Sequence, residues 1–178
     1  MKLYIISNRL PAKACKEKNG TFIFSRSEGE LATGLNSLKT TDEKHWIGWP
    51  GICVDKKEDE QIISEQLEKL NFHPVFLSCD QYKNYYEGYS NSKAEGQTGI
   101  NLYSNSTIWP LCHYFFAYTE YKNCFWKAYQ EVNALFCEKI CSIVSADDYV
   151  WIQDYQLMLL PGMLRKRMPH LRIGYFHH

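Results

Sequence analysis

The chain has 178 residues, 20 lysines and arginines against 20 aspartates and glutamates, 15% aromatic residues and seven cysteines. That length fills one domain, or one half of a longer two-domain chain, and the balanced charge excludes both a basic nucleic-acid footprint and an acidic tail. No apolar run approaches the ~20 residues of a membrane span, so neither nucleic acid nor membrane is an expected partner.

Met1 to Arg9 begins like an export signal, but its apolar stretch Leu3-Tyr4-Ile5-Ile6 stops at Ser7-Asn8-Arg9. It reads as a first buried strand over 3–7. Alternation in Thr21-Phe22-Ile23-Phe24-Ser25 predicts a hairpin strand beside it. Leu31, Gly34, Leu35 and Leu38 are spaced for a helix over 29–38, and Trp46-Ile47-Gly48-Trp49 reads as a strand closed by Pro50-Gly51. Residues 58–70 place Ile62, Ile63, Leu67 and Leu70 on one helical stripe, and 74–77 form a short strand. The steps Phe125, Tyr129, Val132, Phe136, Ile140 and Ile143 give the longest helix. Tyr149 to Ile152 is a strand, Pro161 suits the first turn of the next helix, Met168-Pro169 stops it, and 171–176 is the last strand.

Strands alternating with helices predict an α/β, Rossmann-like fold: a mostly parallel sheet with helices on both faces. The cysteines are odd in number and contain no Cys-x-x-Cys pair. A reducing, cytoplasmic setting is therefore expected, without a disulfide framework, a metal site or a bound cofactor. One segment breaks the pattern. Tyr89-Ser90-Asn91-Ser92 recurs fourteen residues later as Tyr103-Ser104-Asn105-Ser106, so 93–106 reads as an inserted or duplicated loop. Chance recurrence of four polar residues is the alternative.

Open α/β sheets bind ligands beyond the carboxyl ends of their strands. Arg9 follows the first strand, Trp49 closes the third, Asp154 follows the next-to-last, and His177 and His178 follow the last. An arginine fork, an indole, a carboxylate and an imidazole on one rim suit a phosphorylated, hydroxyl-rich ligand. Each residue also has a plain reading: Arg9 as a surface ion-pair residue, Trp49 as core, Asp154 as a turn cap, His178 as a frayed end. Tyr85 and His113 read as core, whereas Tyr86 and Trp109 suit an amphipathic wall against a sugar face.

Together, Ser7-Asn8-Arg9-Leu10-Pro11, Trp46-Ile47-Gly48-Trp49-Pro50-Gly51, Tyr85-Tyr86, Trp109-Pro110, Val150-Trp151-Ile152-Gln153-Asp154-Tyr155 and Ile173-Gly174-Tyr175-Phe176-His177-His178 closely resemble the N-terminal part of the trehalose-6-phosphate synthase family, glycosyltransferase family 20. The resemblance implies two Rossmann-like domains facing across a cleft, the GT-B arrangement. It also implies retaining transfer of glucose from UDP-glucose to glucose 6-phosphate. On that footing Arg9 corresponds to the arginine that holds phosphate, and Trp49 to an acceptor-pocket residue. Tyr86 and Trp109 correspond to rings around glucose 6-phosphate. Asp154 corresponds to the carboxylate orienting the acceptor hydroxyls, and His178 to the histidine on the donor glucose. Arg9, Asp154 and His178 form the implied catalytic group, and Gly29, Glu30 and His178 the donor-side group.

The sequence departs from the family in three places. Gly29-Glu30-Leu31 stands where the family has Gly-Gly-Leu. Glu30 adds a Cβ where φ > 0 is needed and sets a carboxylate near phosphate, at a cost on the order of 1–4 kcal/mol at close approach. Tyr86 and Trp109 stand 23 residues apart, wider than the family's spacing by one repeat period. The sequence ends at His178, before the counterpart of the family's second domain. The expectation is therefore one domain over 1–178, an acceptor-side half without turnover by itself, with a homo-oligomer in the complete protein. The alternative is a non-catalytic, synthase-like regulatory or interaction module with lost donor binding, motivated by Glu30 and the inserted loop.

Overall fold

Five parallel strands set the architecture: β1 (Lys2–Arg9), β4 (Glu43–Trp49), β5 (Phe72–Pro74), β6 (Tyr149–Gln153) and β7 (Arg172–Phe176), in the order β5-β4-β1-β6-β7. The computed structural model describes residues 1–26, 43–85 and 103–178. The helix expected over 29–38 and most of the repeat segment lie outside the described residues.

β1 is central, and Tyr4 through Ser7 are all buried. A strand covered on both faces reads as a continuous apolar run rather than an alternating one. Its side chains still divide between two cores. Tyr4 and Ile6 join Ile47, Val150 and Ile152 under α4 (Asn123–Ile143) and α5 (Leu160–Arg167). Ile5 joins Trp46, Ile63 and Leu67 on the opposite face, under α1 (Lys57–Glu68). The fold is thus a parallel sheet with helices on both faces, as the strand–helix alternation predicts.

The 3.6-residue stripe of α4 buries Phe125, Tyr129, Val132, Phe136 and Ile140, while Ile143 is only half-buried. In α1 the stripe is narrower than expected. Ile63 and Leu67 are fully buried, but Ile62 and Leu70 are 46% and 59% exposed. Burial of α1 therefore rests on a single i, i+4 pair facing Trp46. The strand expected over 74–77 is shifted as well: β5 begins earlier, at Phe72, and hydrogen bonding ends with the Val75 N–H on the Gly48 carbonyl (2.9 Å).

Phe22 to Arg26 forms a strand, β3, but its partner is not β1. It pairs antiparallel with β2 (Ala12–Lys16), a separate two-stranded ribbon. The alternation of Ala12 and Ala14, both buried, carries too little apolar bulk to announce a strand. Downstream of α2 (Cys79–Tyr85), Tyr103–Ile108 is a π-helix that leads into α3 (Trp109–Cys112). The second Tyr-Ser-Asn-Ser copy is thus helical rather than loop. Ser104 is fully buried there, and its hydroxyl donates to the Tyr85 carbonyl at 3.1 Å.

Among the described residues, no helix is long and apolar enough to cross a membrane. All seven cysteines carry free thiols, with Cys137 buried and Cys141 half-buried one turn apart on α4.

Candidate functional site at the carboxyl ends of the strands

Because all five strands run parallel, Arg9, Trp49, Asp154 and His178 stand on one edge of the sheet. Register fixes the neighbours: Arg9 pairs with Trp49, and Gln153 with Phe176. The β1–β4 ladder shifts register between Ile6 and Arg9, and the Ser7 hydroxyl donates to the Arg9 carbonyl at 2.6 Å. The Leu10 N–H then donates to the Trp49 carbonyl at 2.9 Å, tying the chain down just after Arg9.

Arg9 and Trp49 share a hollow of about 400 Å³ with Lys13, Gly51, Ile52, Cys53, Cys79, Tyr82 and Lys83. Trp49 is 4% exposed, so it is a core residue and a site wall at once. Its indole N–H donates to the Ile52 carbonyl (3.1 Å), and its ring stacks on Tyr82 with centroids 4.0 Å apart. The Arg9 guanidinium carbon lies 5.2 Å from the indole centroid, and Nη2 donates to the Tyr82 hydroxyl oxygen at 2.7 Å. Magnitudes rank these contacts. A hydrogen bond to a charged group contributes about 1.5–3 kcal/mol, whereas a cation–π contact at an exposed site contributes about 0.5–1 kcal/mol. Tyr82 is therefore the stronger anchor of the guanidinium.

Gly51 has φ +81°, and a Cβ there would lie 2.8 Å from Lys13 Cγ. The turn thus keeps room for the Lys13 stem beside the hollow. Among the described residues, the lining contains three cations (Arg9, Lys13 and Lys83) and no carboxylate. A concave site with that charge and two aromatic walls is suited to an anion attached to an amphipathic body.

Asp154 follows β6 in a conformation that side chains rarely adopt, φ 74° and ψ 169°. Three hydrogen bonds hold it there. Its N–H donates to the Phe176 carbonyl (2.7 Å), its carbonyl accepts from the Leu157 N–H (3.2 Å), and Oδ1 accepts from the Tyr155 N–H (2.8 Å). The capping role is therefore real, and it coexists with a place on the rim.

The turn after Asp154 is fastened from below by a buried polar network. The Tyr85 hydroxyl donates to the Gln156 carbonyl (3.1 Å) and the Tyr129 hydroxyl to the Tyr155 carbonyl (2.6 Å). Asn133 Nδ2 donates to the carbonyls of Tyr129 (2.9 Å) and Gln156 (3.2 Å). Tyr175 stands close enough that burial, and then the Asp154 charge, push its phenol up to about 12.

His178 is exposed, with Nε2 3.3 Å from Gln153 Oε1 and its ring edge-on to Phe176. Gln153 is 1% exposed, and its Nε2 has no partner among the described residues.

Trp109 does not line the hollow. It is 38% exposed and stacks on His113 at 4.1 Å, with the π-helix before it packing on the Tyr155–Leu157 turn. His113 is exposed, contrary to the core placement expected for it, because its ring caps Trp109 and its Nδ1 bonds the Trp109 carbonyl at 2.8 Å. Tyr85 is core, as expected. Tyr86, Gly29 and Glu30 lie outside the described residues. The rim residues that sequence reasoning missed are Tyr82, Tyr129 and Asn133. Their signals were weak: Tyr82 stands three residues before Tyr85 on α2, and Tyr129 and Asn133 are an i, i+4 polar pair inside the α4 stripe.

A larger hollow, about 460 Å³, lies over Leu3, Tyr149, Trp151, Arg172 and Gly174. It sits on the body of the sheet, away from the carboxyl ends, and among the described residues has one cation and apolar walls. Chemistry favours the smaller, cation-lined hollow as the candidate site.

The family model for glycosyltransferase family 20 matches residues 1–178. The alpha,alpha-trehalose-phosphate synthase (UDP-forming) of Yarrowia lipolytica is 36% identical over 98% of this chain and 35% of its own length. A solved E. coli protein, trehalose-6-phosphate with UDP-2-fluoro glucose bound, aligns at a TM-score of 0.67 and 25% identity, over all of this chain and 33% of its own. The fold is shared as well by the Burkholderia xenovorans synthase solved with glucose-6-phosphate (TM-score 0.67, 24% identity, all of this chain and 33% of that one). The chain thus spans about a third of the length of the proteins it matches.

Proposed function

Since this chain belongs to glycosyltransferase family 20, we propose that it forms the acceptor-side half of a trehalose-phosphate synthase, whose reaction moves glucose from UDP-glucose to glucose 6-phosphate with retention. The observation carrying this reading is the cation-lined hollow in which Arg9 donates to the Tyr82 hydroxyl and lies over Trp49, on the same sheet edge as Asp154. The complexes of the E. coli and Burkholderia xenovorans proteins, with UDP-2-fluoro glucose and glucose-6-phosphate, support both substrate classes.

In this reading Arg9 receives the 6-phosphate on its planar fork, and Lys13 and Lys83 add positive potential around it. Trp49 faces the sugar. Asp154 accepts hydrogen bonds from acceptor hydroxyls, and its strained backbone is the kind of cost that a site bears for orientation. His178 contacts the donor glucose, and the family resemblance assigns Gly29 and Glu30 to the donor side. An oxocarbenium-like transition state with a departing diphosphate requires positioning and positive charge more than a protein nucleophile. Asp154 therefore orients rather than attacks, unlike the paired carboxylates of retaining glycosidases. Donor binding and turnover belong to the whole synthase, of whose length the chain spans about a third. The odd number of free thiols supports a cytoplasmic setting.

Calorimetric titration of the full chain with glucose 6-phosphate and with glucose tests this function. The phosphorylated sugar is expected to bind more tightly by at least about tenfold, a preference that Arg9→Ala abolishes. Equal affinity for the two sugars would refute the reading.

A further inference from the structure

Two tyrosines on α2 stand three residues apart and divide their work. Tyr85 is fully buried, and its hydroxyl donates to the Gln156 carbonyl, so it serves the fold. Tyr82 lines the hollow, stacks on Trp49 at 4.0 Å and accepts a 2.7 Å hydrogen bond from Arg9 Nη2. From this juxtaposition we infer that Tyr82 is a positioning residue, which holds the Arg9 guanidinium at a set angle over Trp49 so that its fork meets a phosphate in register. The inference rests on the reading of the hollow as the acceptor's phosphate site and deepens it.

The physical need is specific to arginine. Lysine is a point charge and attracts phosphate from any direction, so Lys13 and Lys83 need no orientation. A guanidinium binds phosphate best through two parallel N–H donors, and that geometry is lost when the plane turns. Arg9 sits on an exposed strand end, and a long side chain there carries rotamer freedom that must be given up on binding. One N–H committed to Tyr82, with the guanidinium carbon over the indole at 5.2 Å, gives up part of that freedom beforehand. Five N–H donors on the group mean that the Tyr82 bond does not exhaust its capacity.

The test is side-chain NMR on the full chain, combined with titration. In the wild type the Arg9 guanidinium should give a resolved signal with slow rotation about Cζ–Nε. Tyr82→Phe keeps the ring on Trp49 but removes the acceptor, so the signal should collapse to fast rotation while the thermal midpoint stays unchanged. Affinity for glucose 6-phosphate and for inorganic phosphate should then fall about tenfold, with affinity for glucose unaltered. In an Arg9→Lys background the Tyr82→Phe change should add nothing, because no fork remains to be oriented. Fast rotation in the wild type, an unchanged Arg9 signal in Tyr82→Phe, or an additive loss in the double variant would each overturn the positioning role. If glucose 6-phosphate does not bind the wild type, the proposed function fails by itself. The guanidinium dynamics and the inorganic phosphate titration still decide the role of Tyr82.

Discussion

A residue with a Cβ occupies a glycine-like backbone conformation at position 154, and three hydrogen bonds to neighbouring backbone groups over-determine it. Such a conformation costs on the order of 1–3 kcal/mol and persists where surrounding structure compels it. The consequence is an inverted substitution order. At an ordinary position alanine is more stabilising than glycine by about 0.5–1 kcal/mol. Here Asp154→Gly should be more stable than Asp154→Ala by about 1–2 kcal/mol in denaturant unfolding, since glycine relieves the strain and tolerates a capping site while alanine does neither. Alanine as the more stable variant would mean that no strain is stored. At this scale the sequence was half legible. Asp154 is conspicuous as a carboxylate after a strand, and both its capping and its rim roles follow from that position. Its φ does not, because nothing local in Gln153-Asp154-Tyr155 demands a positive value. That value comes from Phe176, on the neighbouring strand, and from the fastened turn behind it.

Between elements, the join of β1 and β4 controls the site. A Cβ on Gly48 would stand 2.8 Å from the Ser7 carbonyl oxygen, 2.9 Å from the Arg9 carbonyl carbon and 2.9 Å from the Leu10 nitrogen. All three are backbone atoms and cannot swing aside. Gly48→Ala should therefore destabilise the chain by about 1–3 kcal/mol, as overpacking does, and push the Arg9 and Trp49 ends of the two strands apart. Glucose 6-phosphate affinity should fall even at temperatures where the variant is fully folded. Wild-type stability and affinity in the Gly48→Ala variant would count against the close approach. Elements with strong periodicity, α4 and β1 above all, are plain in the sequence because their burial pattern is their own. The β2–β3 ribbon was misassigned for the opposite reason. Alternation identifies a strand but not its partner, and β3 pairs with a weakly apolar strand that only tertiary packing creates.

On the scale of the whole molecule, the histidines at the other end of the sheet couple folding to pH. His45 Nδ1 and His73 Nε2 are 2.9 Å apart, with Tyr4 stacked on His45, Glu43 3.2 Å from His45 Nε2, and Lys2, Lys139 and Asp148 acting on the pair. Burial, then His45, then the two lysines push His73 down to about 4. Burial, followed by Lys2, lowers His45 as well, against the pull of Glu43 and Asp148. The native state thus keeps His73 neutral while the unfolded chain takes up a proton below its ordinary value of 6.5. Stability is therefore complete above about pH 6.5 and declines as pH falls toward about 4. The unfolding midpoint should drop between about pH 6.5 and pH 5, before most carboxylates titrate, and His73→Phe should flatten that drop. An equally steep profile in the variant would remove His73 as its source. The sequence alone determined the α/β class, the main strands along the chain and the rim positions of Arg9, Trp49, Asp154 and His178, because hydrophobic period and strand direction are local properties that a parallel sheet converts directly into place. Only the tertiary structure decided that Arg9 bonds to Tyr82, that Asp154 is strained, that Trp109 stands apart from the hollow and that two distant histidines touch. Each of those depends on contacts between segments far apart in the chain, which no local pattern records.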